Sequence, residues 1–459
     1  MKRTAPLSVA MAASLAVGVL YTAGTASARE TVTARHAGRD LYGTKTPYAP
    51  PESANHYQRP PRGFSPVFTE NVARHGSRAM SDGKDGEAVL ALLRKGEAQD
   101  ALTGLGEDLG PQVRSLLDAA SGLGFGNLSA RGAQEHRQTA LRMEQRLPSL
   151  FEKIAAEHEP VVVETSGVAR AVASAGAFTG GLTEGDPALA GLIKPPVTDR
   201  NLLYFHKQPQ NADYQAYLAS DPDLAAVLAT IDADPRTAEA AQHVVARLFQ
   251  DDFATALPTA DQISFARSLY QLFASAPDLS VEAPDVDLTR FLAPRDARWF
   301  AYLDDAEEFY QKGPAFGGRT ITYKMAGVLL DDLLAQATAK ADGSSDKGAV
   351  LRFTHAEEIE PLAALMGLPG STEPAEPAGS GEPYSYRNNP WRGAEVAPMA
   401  ANIQWDLFAN TPADGRPATY LVRMLYNERE TAFGPSCTPV SRGSHFYDLD
   451  ELKRCLAHG

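Results

Sequence analysis

Four short runs rich in β-branched residues, at 67–73, 161–164, 350–354 and 419–426, constrain the fold of this chain more than any other feature. Each is bounded by turn or helix signals and reads as a strand. Their weak polar alternation suits strands covered on both faces. Stretches with helical spacing separate them, residues 130–158 among these. Asp221 followed by Pro222 has the form of an N-cap with proline at the first helical position. Leu224, Val227, Leu228 and Ile231 then mark one helix face, and Phe265, Leu269, Leu272 and Phe273 mark another. The pattern predicts an α/β fold: a mostly parallel central sheet sandwiched between helices, with an inserted, mainly helical second domain.

The predicted organisation follows the chain. Residues 1–28 have the layout of a secretory signal peptide: Lys2 and Arg3, an apolar run from Leu7 to Leu20, and small residues ending at Ala28. The apolar run is shorter than the roughly 20 residues that span a bilayer, so cleavage near Ala28, export, and no membrane attachment afterwards are expected. Residues 29–62 read as an extended arm. Residues 63–180 and 300–459 form the predicted α/β domain, and 181–299 the helical cap. Residues 340–348 and 371–383, rich in Gly, Ser, Pro, Glu and Asp, read as exposed loops. The two cysteines, Cys437 and Cys455, read as one disulfide in an exported protein. A net charge of −14 argues against nucleic acid as a partner but leaves room for a small basic pocket that takes an anion.

The strand at 67–73 runs straight into Arg74-His75-Gly76-Ser77-Arg78, and functional groups of open α/β sheets collect at the carboxyl ends of strands. A neutral imidazole is a good nucleophile toward phosphorus, and flanking guanidinium groups hold phosphoryl oxygens through forked hydrogen bonds. Gly76 lets the backbone pass close to such a group. A second cluster, Thr354-His355-Ala356-Glu357, follows the strand at 350–354: its imidazole could bind the same group, and its carboxyl could protonate a leaving alcohol and later activate water. By itself that cluster also fits a helix N-terminus with favourably placed acids. Arg170 follows the strand at 161–164 and a Ser-containing turn.

RHGSR, the R-x-x-x-S stretch at 170–174 and HAE at 355–357, in this order, resemble the histidine acid phosphatases of the clade-2 histidine phosphatase superfamily. The HAE form is similar to the multiple inositol-polyphosphate phosphatase branch, as are LLYFHKQ (202–208), FYQKGPAFGG (309–318), PMAANIQW (398–405) and VRMLYNERE (422–430). The resemblance spans roughly residues 64–457. One departure is Ala79-Met80, where many members carry x-Pro.

The resemblance implies a phosphatase acting on inositol polyphosphates such as phytate, with His75 as nucleophile and Glu357 as proton donor. Arg74, Arg78, Arg170 and His355 would hold the phosphate. No metal or other cofactor is implied. Glu358 would take the acid role if the register of HAEE differed. Lys84, Arg131, His206 and Lys312 are further candidates for contacts with a polyphosphorylated substrate. Two other readings are a broad-specificity phosphatase on sugar or aryl phosphates and an inactive anion-binding protein on the same fold. A monomer is expected, with a dimer left open.

Overall fold

The structure, a computed structural model, describes residues 41–51, 57–377, 379–411 and 417–457. The expected signal peptide, and residues 29–40 and 52–56 of the expected arm, lie outside the described residues.

Eight strands build one sheet: β1 Phe64–Arg74, β2 Val161–Thr165, β3 Val197–Thr198, β4 Ala349–Thr354, β5 Asn402–Asn410, β6 Tyr420–Tyr426, β7 Arg429–Thr431 and β8 Phe446–Asp448. Their order is β3-β2-β4-β1-β5-β6-β7, and β8 also pairs with β6. β3, β2, β4 and β1 run parallel. β5 to β8 continue the sheet with antiparallel pairings. The four predicted strands are β1, β2, β4 and β6. β1 and β4 are neighbours whose last paired residues are Arg74 and Thr354, so the two sequence clusters leave the sheet side by side.

Successive residues of β4 face opposite sides of the sheet. Leu351 and Phe353 join a core with Met143, Phe151, Ile154 and Phe178, contributed by α3 Ala130–Arg146, α4 Pro148–Glu157 and α5 Ala169–Gly185. Val350 joins the larger core beneath the remaining helices. On that same face Arg352 is wholly buried, pairing with Glu70 at 2.9 Å and with Asp332. Removing one partner of such a buried pair costs on the order of 3–5 kcal/mol.

The helical layer is built from two parts of the chain. Helices α1 Lys84–Glu97 and α2 Gly104–Leu123 come first. They pack on α7 Pro235–Leu248 and α8 Thr259–Ser275, beside α6 Pro222–Asp232 and α9 Pro294–Lys312. The segment 84–123, grouped with the α/β domain by sequence, thus contributes to the helical layer. The Asp221 side chain accepts from the N–H groups of Asp223 and Leu224 and caps α6, with Pro222 at the first position. The helical pattern at 130–158 is divided between α3 and α4 at Leu147-Pro148. α10 Ala356–Leu365 starts directly after β4.

Candidate active site

His75 continues β1 by donating its backbone N–H to the Thr354 carbonyl at 2.9 Å. His355 follows Thr354, and the two imidazole centroids lie 5.4 Å apart at 66°. Gly76 is demanded by a close approach: a Cβ there would sit 2.5 Å from the Gly132 carbonyl, and a Cβ on Gly132 would meet the Ser77 carbonyl closer still. This glycine-on-glycine contact docks the RHGSR loop on the start of α3. Ser129 strengthens it, its N–H and hydroxyl both donating to the Ser77 carbonyl.

A cavity of about 300 Å³ opens over the ends of β1 and β4, and Arg74, His75, Arg78, Arg170, Lys312 and Glu357 all line it. The His75 ring is buried, with Nδ1 2.9 Å from the Gly76 carbonyl. A carbonyl only accepts, so Nδ1 carries the hydrogen and Nε2 keeps its lone pair. Burial pushes the His75 pKa well down, and Arg74, His355, Arg78 and Arg170 push it further, so the ring is neutral.

His355 is also buried and pushed down to about 3, first by burial and then by Arg170. Its Nε2 lies 2.8 Å from the Ser166 hydroxyl, which itself accepts from the Val168 N–H. With Ser166 donating its hydrogen to Nε2, the ring hydrogen sits on Nδ1. That buried Nδ1 has no partner among the described residues.

Arg74 donates to the Thr44 and Ala397 carbonyls. Arg78 donates to the Ala79 carbonyl and Ser81, and burial, then Arg170 and Arg74, lower it to about 10. Burial also lowers Arg170, and the Ser174 hydroxyl one turn on donates to the Arg170 carbonyl while accepting from the Gly76 N–H. The R-x-x-x-S spacing so ties α5 to the RHGSR loop.

The two carboxyls at the start of α10 have different surroundings. Glu357 lines the cavity, with Lys312 Nζ 3.5 Å away. Burial would raise its pKa, but Lys312, His206 and His355 outweigh that and hold it well below the usual carboxylate range. Glu358 is sealed inside, accepting from Thr354 at 2.9 Å and lying 2.6 Å from His206 Nδ1. The register of HAEE therefore turns Glu357, not Glu358, to the cavity.

The outer basic candidates fall in different places. Lys312 is in the cavity wall. His206 is buried behind it, positioning Glu358 and stacking edge-on with Tyr204, which in turn meets the His355 ring. Lys84 is exposed and pairs with Asp82 at 2.9 Å. Arg131 donates to the Pro277 carbonyl and Ser280. Neither Lys84 nor Arg131 lines the cavity.

Several wall residues escaped the sequence reading, Lys45 and Asp278 among them. Lys45, from the arm, pairs with Asp304 at 3.1 Å. Asp278, from the helical layer, is buried with Oδ1 unpartnered. Burial first, and then Glu135, pushes Asp278 up to about 8 against the pull of Ser77, Arg78 and Arg74. Ser77 gives its hydroxyl hydrogen to Glu135 at 2.8 Å and also faces Asp278. Neither residue belongs to a motif that could have flagged it.

Cys437 and Cys455 are joined in a disulfide. Among the described residues, no group of His, Cys, Asp or Glu side chains is disposed to hold a metal, and no helix is long and apolar enough to cross a membrane.

Residues 68–427 match the family described as the histidine phosphatase superfamily, branch 2. The chicken (Gallus gallus) protein named multiple inositol polyphosphate phosphatase 1 is 24% identical over 415 residues, covering 86% of this chain and 84% of that protein. The crystal structure of Bifidobacterium longum multiple inositol polyphosphate phosphatase in complex with inositol hexasulfate is 32% identical with a TM-score of 0.84. It covers 91% of this chain and 97% of that chain. A phytase from D. castellii shares the fold at a TM-score of 0.58 and 15% identity, over 92% of this chain and 85% of that one. The chain belongs to branch 2 of the histidine phosphatase superfamily.

Proposed function

We propose that this protein hydrolyses phosphomonoesters of inositol polyphosphates, phytate among them, through a phosphohistidine on His75. The observation that carries the proposal is a neutral imidazole, its Nε2 lone pair unused, in a cavity wall shared with Arg74, Arg78 and Arg170. In the first step Nε2 forms a bond to phosphorus as the ester P–O bond breaks, and Glu357 gives a proton to the departing alkoxide. In the second, water loses a proton to Glu357 and attacks phosphorus, and the N–P bond breaks. The three guanidinium groups and the His355 Nδ1–H offset charge that builds on the phosphoryl oxygens.

Because Lys312 keeps Glu357 ionised in the free protein, the proton for the first step arrives with a phosphate monoanion. Phosphate monoesters lose that proton near about pH 6, so turnover should be favoured on the acid side.

Substrate class rests on charge and on kinship. Lys45 and Lys312 add two cations to the wall beyond the three arginines, beside the carboxylates of Asp82, Asp85 and Glu308. The B. longum relative is solved with inositol hexasulfate, whose sulfates have the shape of phosphate groups. Export by a cleaved leader at 1–28 and action as a monomer complete the proposal, the Cys437–Cys455 disulfide supporting an oxidising location.

The test is to incubate purified protein with phytate and a chelator and to follow the products. Successive lower inositol phosphates at an undiminished rate support the proposal. Faster release from p-nitrophenyl phosphate than from phytate would favour the broad-specificity reading. No release from either, across acidic to neutral pH, would make the protein an anion binder.

A further inference from the structure

A second cavity, of about 380 Å³, lies in the helical layer and shares no lining residue with the first. Its walls come from the first half of α7, the first half of α9 and the loop at 385–387. α9 links the two cavities: Trp299 lines the second and Lys312, thirteen residues on, lines the first, a separation of roughly 20 Å along a helix.

The lining has an unusual composition for an acidic protein. Four arginines, Arg236, Arg295, Arg298 and Arg387, face it against two carboxylates, Glu239 and Asp296. Asp296 is spoken for, buried beside Arg295 at 3.2 Å and 3.5 Å from His243. Arg236 is already clamped by Asp234 at 2.7 Å and lies 4.1 Å over the Trp299 ring. Arg387 is exposed and makes no ion pair among the described residues. The floor is aromatic: Trp299 and Tyr302 are neighbours at 5.0 Å, and Tyr386 closes the side at 5.4 Å from Tyr302.

Rigid rings give a flat partner a stacking surface, and guanidinium groups at the rim give an anion forked donors. The guanidinium groups would serve any phosphate, but the aromatic floor does not match an inositol ring, which has no flat face. We propose that this cavity is a ligand site for a planar aromatic ring carrying phosphate groups, a nucleotide being the type.

The chain's tryptophans allow a direct test. Trp391 and Trp405 are fully buried, whereas Trp299 lines the cavity, so quenching of tryptophan emission reports on this site. The probe is adenosine 5′-(β,γ-imido)triphosphate, with inositol hexasulfate added at saturation to occupy the first cavity. Saturable quenching is expected, with adenosine and tripolyphosphate each binding about tenfold more weakly or less. Arg387→Glu should weaken the nucleotide about tenfold while leaving phytate turnover unchanged. Trp299→Phe should remove the optical signal yet leave a calorimetric one. The proposal is overturned if no quenching occurs, if hexasulfate abolishes it, if Arg387→Glu has no effect, or if tripolyphosphate binds as tightly as the nucleotide.

Discussion

Replacing Asp278 with asparagine keeps the shape of the side chain but removes a titrating group from the cavity wall. In the folded chain this carboxyl is pushed up to about 8 by burial and by Glu135, with Arg78, Arg74 and Ser77 facing it from the RHGSR loop. An unfolded aspartate titrates near about 3.9. Between roughly pH 4 and pH 8 folding therefore takes up a proton at this position, and stability falls as pH rises, by about 1.4 kcal/mol per pH unit. By pH 7 the accumulated cost is on the order of 4 kcal/mol. Asparagine carries no such cost, so the stability of Asp278→Asn relative to the parent should climb by that order between pH 4 and pH 7. The assay is urea unfolding of both proteins at several pH values across this window. A stability difference that stays constant with pH, or shrinks as pH rises, would refute the assignment of a protonated Asp278. The same substitution should also preserve substrate affinity above about pH 8, where ionisation of the parent carboxyl would set a negative charge beside Arg78.

Glu357→Gln should slow phytate turnover by about 10²–10⁴-fold and p-nitrophenyl phosphate far less, since only the alkoxide needs the proton; equal losses in kcat would count against Glu357 as the acid. Gly132→Ala should destabilise by about 3 kcal/mol, the upper end of overpacking costs, because the new Cβ meets backbone of the RHGSR loop rather than a yielding side chain. It should also lower kcat, and wild-type unfolding and kinetics would remove the glycine contact from the account.

The parallel half of the sheet and the centre of the site were legible because local signals coincide there. β1 and β4 are short runs that lead directly into RHG and HAE, and their adjacency brings His75 and His355 together. β5 was not legible as a strand. It carries Asn402, Gln404 and Asp406, all buried; Asp406 is tolerable only because Arg423 of β6 meets it at 2.8 Å, a partner that sequence spacing does not show. α2 was hidden by Gly104, Gly106, Gly110 and Pro111, residues that disfavour helix in isolation. Lys45 and Asp278 lie in segments without a motif and reach the wall through tertiary contacts, Lys45 because the Thr44 carbonyl holds Arg74. Lys84, ten residues past Arg74, is basic and close in sequence, yet it stands exposed at the start of a helix and pairs with Asp82.

The proposed chemistry passes phosphate through a bond to Nε2 of His75. Mixing the enzyme with radiolabelled phytate, quenching in alkali within the first turnovers and mapping the labelled peptide tests it directly. Acid-labile, alkali-stable label is expected on His75, with neither label nor turnover in His75→Ala. Label on His355 instead, or steady phosphate release by His75→Ala, would contradict it.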